Sequence, residues 1–376
     1  MGVRKLIFTY NHLSNFKMLN SRINCIVAKR IILLLVFSGA LVASAQDSVD
    51  SFIVKQVKEK RLAGLSIGIV QNGKVVKAKG YGFANLELNV PATEQTVYKL
   101  ASVSKQMIAT AIMYLQQEGK LRLSDTVTKY FRDAPTAWSS ITIRNLLNHT
   151  SGLERESPAF NPGLVQPDSV LIRAAYRDPM VFPTGSKWQY CNLGYFMLAD
   201  IIRQVSGMSF PQFMKKEIFE KYHLSKTQLT SAKTLVPNRA DGYVLAGKDS
   251  VTNAEDYITL RPSGAFISTV GDLMKWELMI QQNEMLSKDN WKLMVSDTVR
   301  TGANNPETEY YGYGWFKSTY KGREVVYHGG SLPGFRAIYF RIPAEGTAII
   351  ILTNSDHADP RTIAKGVADI LFAKPN

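Results

Sequence analysis

Leu65-Ser66-Ile67-Gly68-Ile69-Val70-Gln71-Asn72-Gly73-Lys74-Val75-Val76 reads as two strands joined by a two-residue turn. Leu65 to Val70 is a short apolar run with strand character, and Val75-Val76 resumes it on the far side. Asn72-Gly73 between them supplies the residue types that tolerate positive φ in a tight hairpin. An antiparallel sheet is therefore expected to open the chain, preceded by a helix over Ser48 to Arg61 with Phe52, Ile53 and Val57 on one side. Strand character returns only near the end, at Tyr313 to Thr319, Glu324 to Tyr327, Phe335 to Ile342 and Thr347 to Leu352, before a closing helix over Thr362 to Phe372. The stretch from 121 to 260 reads as helix and loop, broken at Pro135, Pro158, Pro162-Gly163 and Pro183, with a clear amphipathic helix over Leu193 to Val205. Thr269 to Asp272 fits a capping box that opens a helix through Trp276 and Met279. Early and late strands can share one antiparallel sheet with a helical block inserted between them. The expected class is α+β, with a sheet part over 46–101 and 262–376 and a helical part over 102–261.

The first 45 residues differ from the rest. They hold six basic residues (Arg4, Lys5, Lys17, Arg22, Lys29 and Arg30) and no acid, then an apolar run from Ile31 to Val42 and the small residues Ala43-Ser44-Ala45. That is the layout of a secretory signal, and the run is shorter than a membrane span requires. Met18 offers an alternative start that restores a usual signal length. Cleavage after Ala45 takes the formal net charge from +14 to +8 and removes Cys25, leaving Cys191 as a lone thiol with no internal disulfide partner. The expected product is secreted or periplasmic, keeps no stable membrane span and carries no nucleic-acid motif. Its scattered lysines read as a solvated face.

The chemistry-bearing residues begin with Ser102 and Lys105. A serine hydroxyl is a poor nucleophile until a base takes its proton, and positions i and i+3 share one face of a helix. The pattern S-x-x-K occurs three times, at Ser14/Lys17, Ser102/Lys105 and Ser318/Lys321, but only Ser102 opens an expected helix, one that runs about 17 residues to Gly119. Burial would lower the lysine pKa, and the first-turn N–H groups would favour an oxyanion. Tyr190-Cys191-Asn192 is the sole Y-x-N. A buried Tyr190 beside a lysine can hold a lowered pKa and act as a base, while Asn192 offers a two-headed amide to a substrate. His328-Gly329-Gly330 is the sole H-x-G and ends a strand, where its glycines let a substrate backbone approach and the Ser331 N–H can join the Ser102 N–H as an oxyanion donor. Each motif also has a plainer reading: Ser102 as a cap with a surface lysine, Tyr190 as core with Asn192 as an N-cap, and Gly329-Gly330 as a turn.

Together, the order S-x-x-K, Y-x-N, H-x-G resembles the serine β-lactamase and D-alanyl-D-alanine carboxypeptidase superfamily, in its class C-like branch. Leu100-Ala101-Ser102-Val103-Ser104-Lys105 is similar to that family's nucleophile segment. Leu146 to Leu153 is similar to its H-T-S-G-L signature, and Gly264 to Trp276 to its segment leading into a late helix. The resemblance implies an α/β/α sandwich on an antiparallel sheet with an inserted helical region. It also implies Ser102 as nucleophile, Lys105 and Tyr190 as the proton-transfer pair, and Asn192, His328, Gly330 and Ser331 as substrate-binding positions. No metal or other cofactor is implied. His328 stands where many β-lactamases carry the lysine of K-T-G, and family peptidases and esterases often carry histidine or tryptophan there. The pattern of a glutamate followed four residues later by asparagine is missing around Glu154 and Glu156, so deacylation is expected through Tyr190 and a water. His149 reads as structural, Tyr311 to Trp315 as core, and Cys191 as a packing change.

The implied partner is a small-molecule or peptide substrate, with peptidoglycan fragments in view, and the reaction is acyl transfer to water on peptide, ester, amide or β-lactam carbonyls. The competing class is a catalytically inactive binder of peptidoglycan or β-lactams. N-terminal sequencing of the exported protein is expected to begin at Gln46; a retained Met1 or Met18 would refute the signal reading.

Overall fold

The hairpin forms as its turn residues require. In the computed structural model β1 (Gly64–Gln71) and β2 (Lys74–Asn85) pair antiparallel across Asn72 (φ 48°) and Gly73 (φ 72°). Two successive positive φ values match the right-handed twist of the flanking strands. The structure describes residues 48–373 apart from 162, 165, 232, 248–249, 256–263, 265 and 303–307. The signal reading over 1–45, with Met18 and Cys25, and the break at Pro162 lie outside them. Residues 53–369 form one unit; the described residues 48–52 and 370–373, the start of helix α1 (48–59) and the end of the closing helix, belong to a second. No helix among the described residues is long and apolar enough to cross a membrane.

Along the chain follow β3 (Val90–Pro91), β4 (Tyr98–Lys99), α2 (Ser104–Gln117), α3 (Ile143–Leu147), α4 (Asp168–Ala174), α5 (Asn192–Ser206), α6 (Phe210–Phe213), β5 (Gln228–Leu229), β6 (Tyr243–Ala246) and β7 (Ser250–Asn253). Then come β8 (Phe266–Ser268), α7 (Val270–Gln281), α8 (Lys288–Ser296), β9 (Val299–Arg300), β10 (Tyr310–Tyr311), β11 (Phe316–Tyr320), β12 (Arg323–Leu332), β13 (Phe335–Ile342), β14 (Thr347–Thr353) and α9 (Pro360–Leu371). The main sheet runs β3-β2-β1-β14-β13-β12-β11-β10-β9, and every pairing in it is antiparallel. Early and late strands thus share one sheet as the sequence implied, with β1 against β14 closing the long insertion. Two late strands differ from expectation. The first starts later than Tyr313: the chain turns at Gly314 (φ 77°), the strand is Phe316–Tyr320, and Tyr310–Tyr311 ahead of it is a short separate strand. The other does not end at Tyr327. It continues through His328-Gly329-Gly330 to Leu332, because β13 pairs with it over that whole length.

Strand alternation assigns the two faces of the sheet. Tyr339 and Arg341 of β13 face α7, where Tyr339 donates to Glu277 at 2.9 Å and Arg341 Nε to the same carboxylate at 2.8 Å. His328 lies opposite Tyr339 in register and shares that face. Tyr327 and Phe340 point to the other face, where Arg361 of α9 stacks over Tyr327 at 4.3 Å. Helices therefore cover both faces, an α/β/α arrangement. The helical part packs α2 against α5 around a continuous apolar core that includes Met107, Ile108, Leu146, Phe196 and Trp276. Inside α2 the polar Gln106 is fully buried, and its Oε1 accepts the Trp276 indole N–H at 2.7 Å.

Glu277 is 1% exposed and Arg341 12%. Breaking such a pair strands a buried charge, at a cost of roughly 3–5 kcal/mol. Arg341→Leu is expected to lower stability by an amount in that range, measured by chemical denaturation. A change within about 0.5 kcal/mol, the size typical of surface substitutions, would mean the pair does not hold α7 to the sheet.

Candidate active site

Ser102 sits in a single 3-10 turn, Ala101–Val103, directly ahead of α2. The expected helix from Ser102 is thus a tight turn running into an α-helix, which stops before Gly119 at φ 69°. Ala101 adopts φ 49°, a left-handed conformation uncommon for a residue with a Cβ and a form of strain that surrounding contacts must hold. Those contacts come from β8, where Phe266 O accepts from Leu100 N at 2.9 Å and Phe266 N donates to Ser104 Oγ at 3.2 Å. Opposite, Gly330 of β12 closes on the same segment: a Cβ built there would lie 2.2 Å from Leu100 O. Only glycine lets this strand come so near the turn that carries Ser102.

Lys105 Nζ lies 3.1 Å from Ser102 Oγ. The lysine is fully buried, and burial draws its pKa down to about 7; the Glu156 carboxylate pulls the other way and Arg155 adds to the lowering. The walls around the amine are aromatic, with Nζ 4.8 Å from the Tyr190 ring centre and 5.4 Å from that of Tyr195. Tyr190 lines the cleft with Ser102, which draws the phenol pKa down. Its phenol does not carry the lowered pKa expected beside a lysine: burial pushes it up, and Ser102 and the charge of Arg155 offset this only in part. Burial also leaves the lysine only partly charged near neutral pH, a weak cation for stabilising a phenolate.

Asn192 is the first residue of α5 rather than its cap. Cys191 caps the helix, its sulfur accepting the Gly194 N–H at 3.3 Å. The Asn192 Nδ2 donates to Glu156, and its Oδ1 is buried with no partner within the protein. Burial pushes the Glu156 carboxyl up, opposed by that hydrogen bond and by the charges of Lys105 and Arg155. His328 is 1% exposed and has both ring nitrogens engaged, Nε2 with Tyr311 Oη at 3.0 Å and Nδ1 with Gly329 O at 2.7 Å. A carbonyl only accepts, so Nδ1 carries the proton and Nε2 accepts from the tyrosine. Burial and the Lys105 charge lower its pKa to about 3, which makes His328 a neutral wall and not a cationic anchor.

Ser102, Tyr190, His328, Gly330 and Ser331 line one cleft of about 580 Å³ together with Arg155, Phe316 and Arg336. Lys105, Asn192 and Glu156 are not part of that lining: Lys105 reaches it through Ser102, and the other two lie close in the chain to Tyr190 and Arg155. Two contributors escaped the sequence reading. Tyr311, read as core, is fully buried and also fixes His328. Glu156 had no pattern to announce it. His149 is buried as its structural reading supposed: Nδ1 accepts the Cys191 N–H at 3.1 Å and its ring packs 4.4 Å from that of Tyr190. Among the described residues no group of three His, Cys, Asp or Glu is arranged to hold a metal ion.

The Beta-lactamase family model matches residues 49–373. Penicillin-binding protein 4* of Bacillus subtilis (strain 168) is 30% identical over 363 residues, covering 86% of this chain and 78% of that protein. Protein flp of Staphylococcus aureus (strain COL) is 27% identical over 324 residues, which cover 84% of this chain but only 64% of flp. Among solved structures, the octameric penicillin-binding protein homologue from Pyrococcus abyssi superposes with a TM-score of 0.78 at 29% identity, over 87% of this chain and 77% of that one.

Gly330→Ala forces a methyl against Leu100 O, a backbone atom that cannot swing aside. The expected cost is about 1–3 kcal/mol, as for other overpacked sites, read as a lowered denaturation midpoint. An unchanged midpoint would show that β12 can withdraw freely from the serine turn.

Proposed function

This chain belongs to the β-lactamase family, and from that premise we propose that it is an exported serine hydrolase that acylates Ser102 with a peptide, amide, ester or β-lactam carbonyl. The observation that carries the reading is the 3.1 Å contact between Ser102 Oγ and a fully buried Lys105 whose pKa falls near 7. As a neutral amine, Lys105 accepts the Oγ proton while Oγ attacks the carbonyl carbon. The resulting oxyanion sits against the Ser102 and Ser331 N–H groups, at the positive end of α2. Collapse breaks the bond to the leaving group, which takes its proton from the Lys105–Tyr190 pair, with Tyr190 acting as a protonated hydroxyl. Water then attacks the ester, losing its proton to the same pair, and Ser102 recovers its own.

The family resemblance supports the substrate class, while the neutral His328 supports substrates that need no cation at that strand. Intact mass after incubation with a penicillin, a fluorophosphonate and a p-nitrophenyl ester is expected to show a covalent adduct on the wild type and none on Ser102→Ala. A lysine base works only when deprotonated, so the acylation rate should rise with pH through a midpoint of about 7. His328, neutral above about 3, contributes nothing to that limb. No adduct from any probe would leave a non-catalytic binder, and adduct formation independent of pH from 5 to 9 would remove Lys105 as the base.

A further inference from the structure

Glu156 and Asn192 make a pair beside the serine that the acyl-transfer scheme does not use. The Nδ2 of Asn192 is committed to the Glu156 carboxylate, and a substrate carbonyl would have to take it from a charged acceptor, the stronger of the two bonds. What the amide has left is Oδ1, buried and without a partner in the protein. A buried acceptor in that state calls for a donor from outside. Glu156 likewise offers only acceptors, and it is half-buried, so water compensates its charge poorly. The cation beside it, Arg155, stands off at 3.8 Å with a side chain 60% exposed, a loose pairing that an incoming cation can displace at little cost. The pair adjoins the cleft, since Arg155, the chain neighbour of Glu156, and Tyr190 both line it with Ser102. Asn192 is two residues from Tyr190, and Glu156 is the group that acts most strongly on the charge of Lys105.

We propose that the Glu156 carboxylate and Asn192 Oδ1 form a subsite for the free ammonium group of an amino-acid amide, ester or peptide whose carbonyl is attacked by Ser102. The subsite rests on the acyl-enzyme reading of Ser102 and narrows it to substrates with an unblocked amine next to the scissile bond. An N-acylated substrate brings one N–H and a carbonyl in place of three N–H donors and a charge, and it leaves the carboxylate with only the Asn192 amide and the loosely placed Arg155.

The test compares kcat/KM for the p-nitroanilides of D- and L-alanine with their N-acetyl counterparts, in wild type and in Glu156→Gln and Glu156→Asp. Wild type is expected to favour the free amine over its acetyl form by tenfold or more for at least one enantiomer. Glu156→Gln should lower that ratio at least tenfold, and Glu156→Asp should restore part of it. A preference for the acetyl form, or an equal loss on both substrates in Glu156→Gln, overturns the subsite. Fluorophosphonate labelling of Ser102 in each protein separates the two failures: labelling without amine preference sinks the subsite alone, whereas no labelling of wild type sinks the acyl-enzyme reading and the subsite with it. If Ser102 labels but no anilide turns over, calorimetric binding of alaninamide and N-acetylalaninamide to Ser102→Ala decides. A preference for the amine that drops tenfold on adding Glu156→Gln supports the subsite, and equal binding overturns it.

Discussion

A lysine with no water around it governs the site. Moving the Lys105 ammonium out of solvent and onto Ser102 Oγ lowers its pKa from 10.5 to about 7, a penalty on the charged form of roughly 5 kcal/mol. The neighbours follow from that penalty. Tyr190 and Tyr195 present ring faces, which attract an ammonium only modestly, so the amine is neither stranded nor locked in its charged state. His149 and His328, both buried, are held neutral by burial and by whatever charge Lys105 retains. An imidazolium at either place would add a like charge to a dry site. Glu156 is the one carboxylate among the groups acting on the amine, and its partial exposure keeps it from fixing the ammonium.

Placing that lysine against the serine costs backbone strain, and the sheet holds it. Ala101 is left-handed, Leu100 and Ser104 are gripped on either side of Ser102 by Phe266, and Gly330 brings β12 against Leu100 O. Gly314 does the same one turn on, where a Cβ would meet the Gln106 backbone at 2.7 Å. The fold thus clamps the start of α2 between β8 and the β10 to β12 region. The clamps are backbone hydrogen bonds and glycine contacts, with one bond to the Ser104 hydroxyl. Geometry of this kind is what a nucleophile on a fixed trajectory requires.

The parts of this arrangement that depend on local pattern were legible in the sequence. Asn72-Gly73 announced the hairpin, the strand-poor middle announced the insertion, and the three motifs named the residues lining the cleft because their chain order is itself distinctive. What stayed hidden depends on contacts between distant segments. The strand through His328 runs on past its glycines because β13 supplies partners, which no glycine-rich stretch reveals by itself. Tyr311 looked like core because it is core, and its bond to His328 exists only once β10 lies near β12. Tyr190 was assigned the wrong direction of pKa shift because a lysine in a sequence looks like a cation, whereas a buried lysine is a poor one. Glu156 carries no local pattern, and its meaning comes from the Asn192 amide that folding brings to it.

The charge layout of the cleft then constrains recognition. His328 has both nitrogens occupied, so the strand edge beside Ser102 offers a substrate backbone hydrogen bonds and shape but no cation. Three arginines line the cleft: Arg361 pairs with Glu309 at 3.1 Å and stacks on Tyr327, Arg336 donates to Leu332 O and Phe335 O, and Arg155 lies over the Tyr190 ring at 5.1 Å with Glu156 at 3.8 Å. The Glu156 and Asn192 side therefore offers acceptors beside the loosely held Arg155, and the His328 side is neutral. A substrate carboxylate placed at His328 would be desolvated without compensation, whereas an amine placed at Glu156 would gain a partner that the protein itself supplies only loosely. On the proposed subsite, the direction in which a substrate lies across Ser102 would be set by which of its ends carries positive charge.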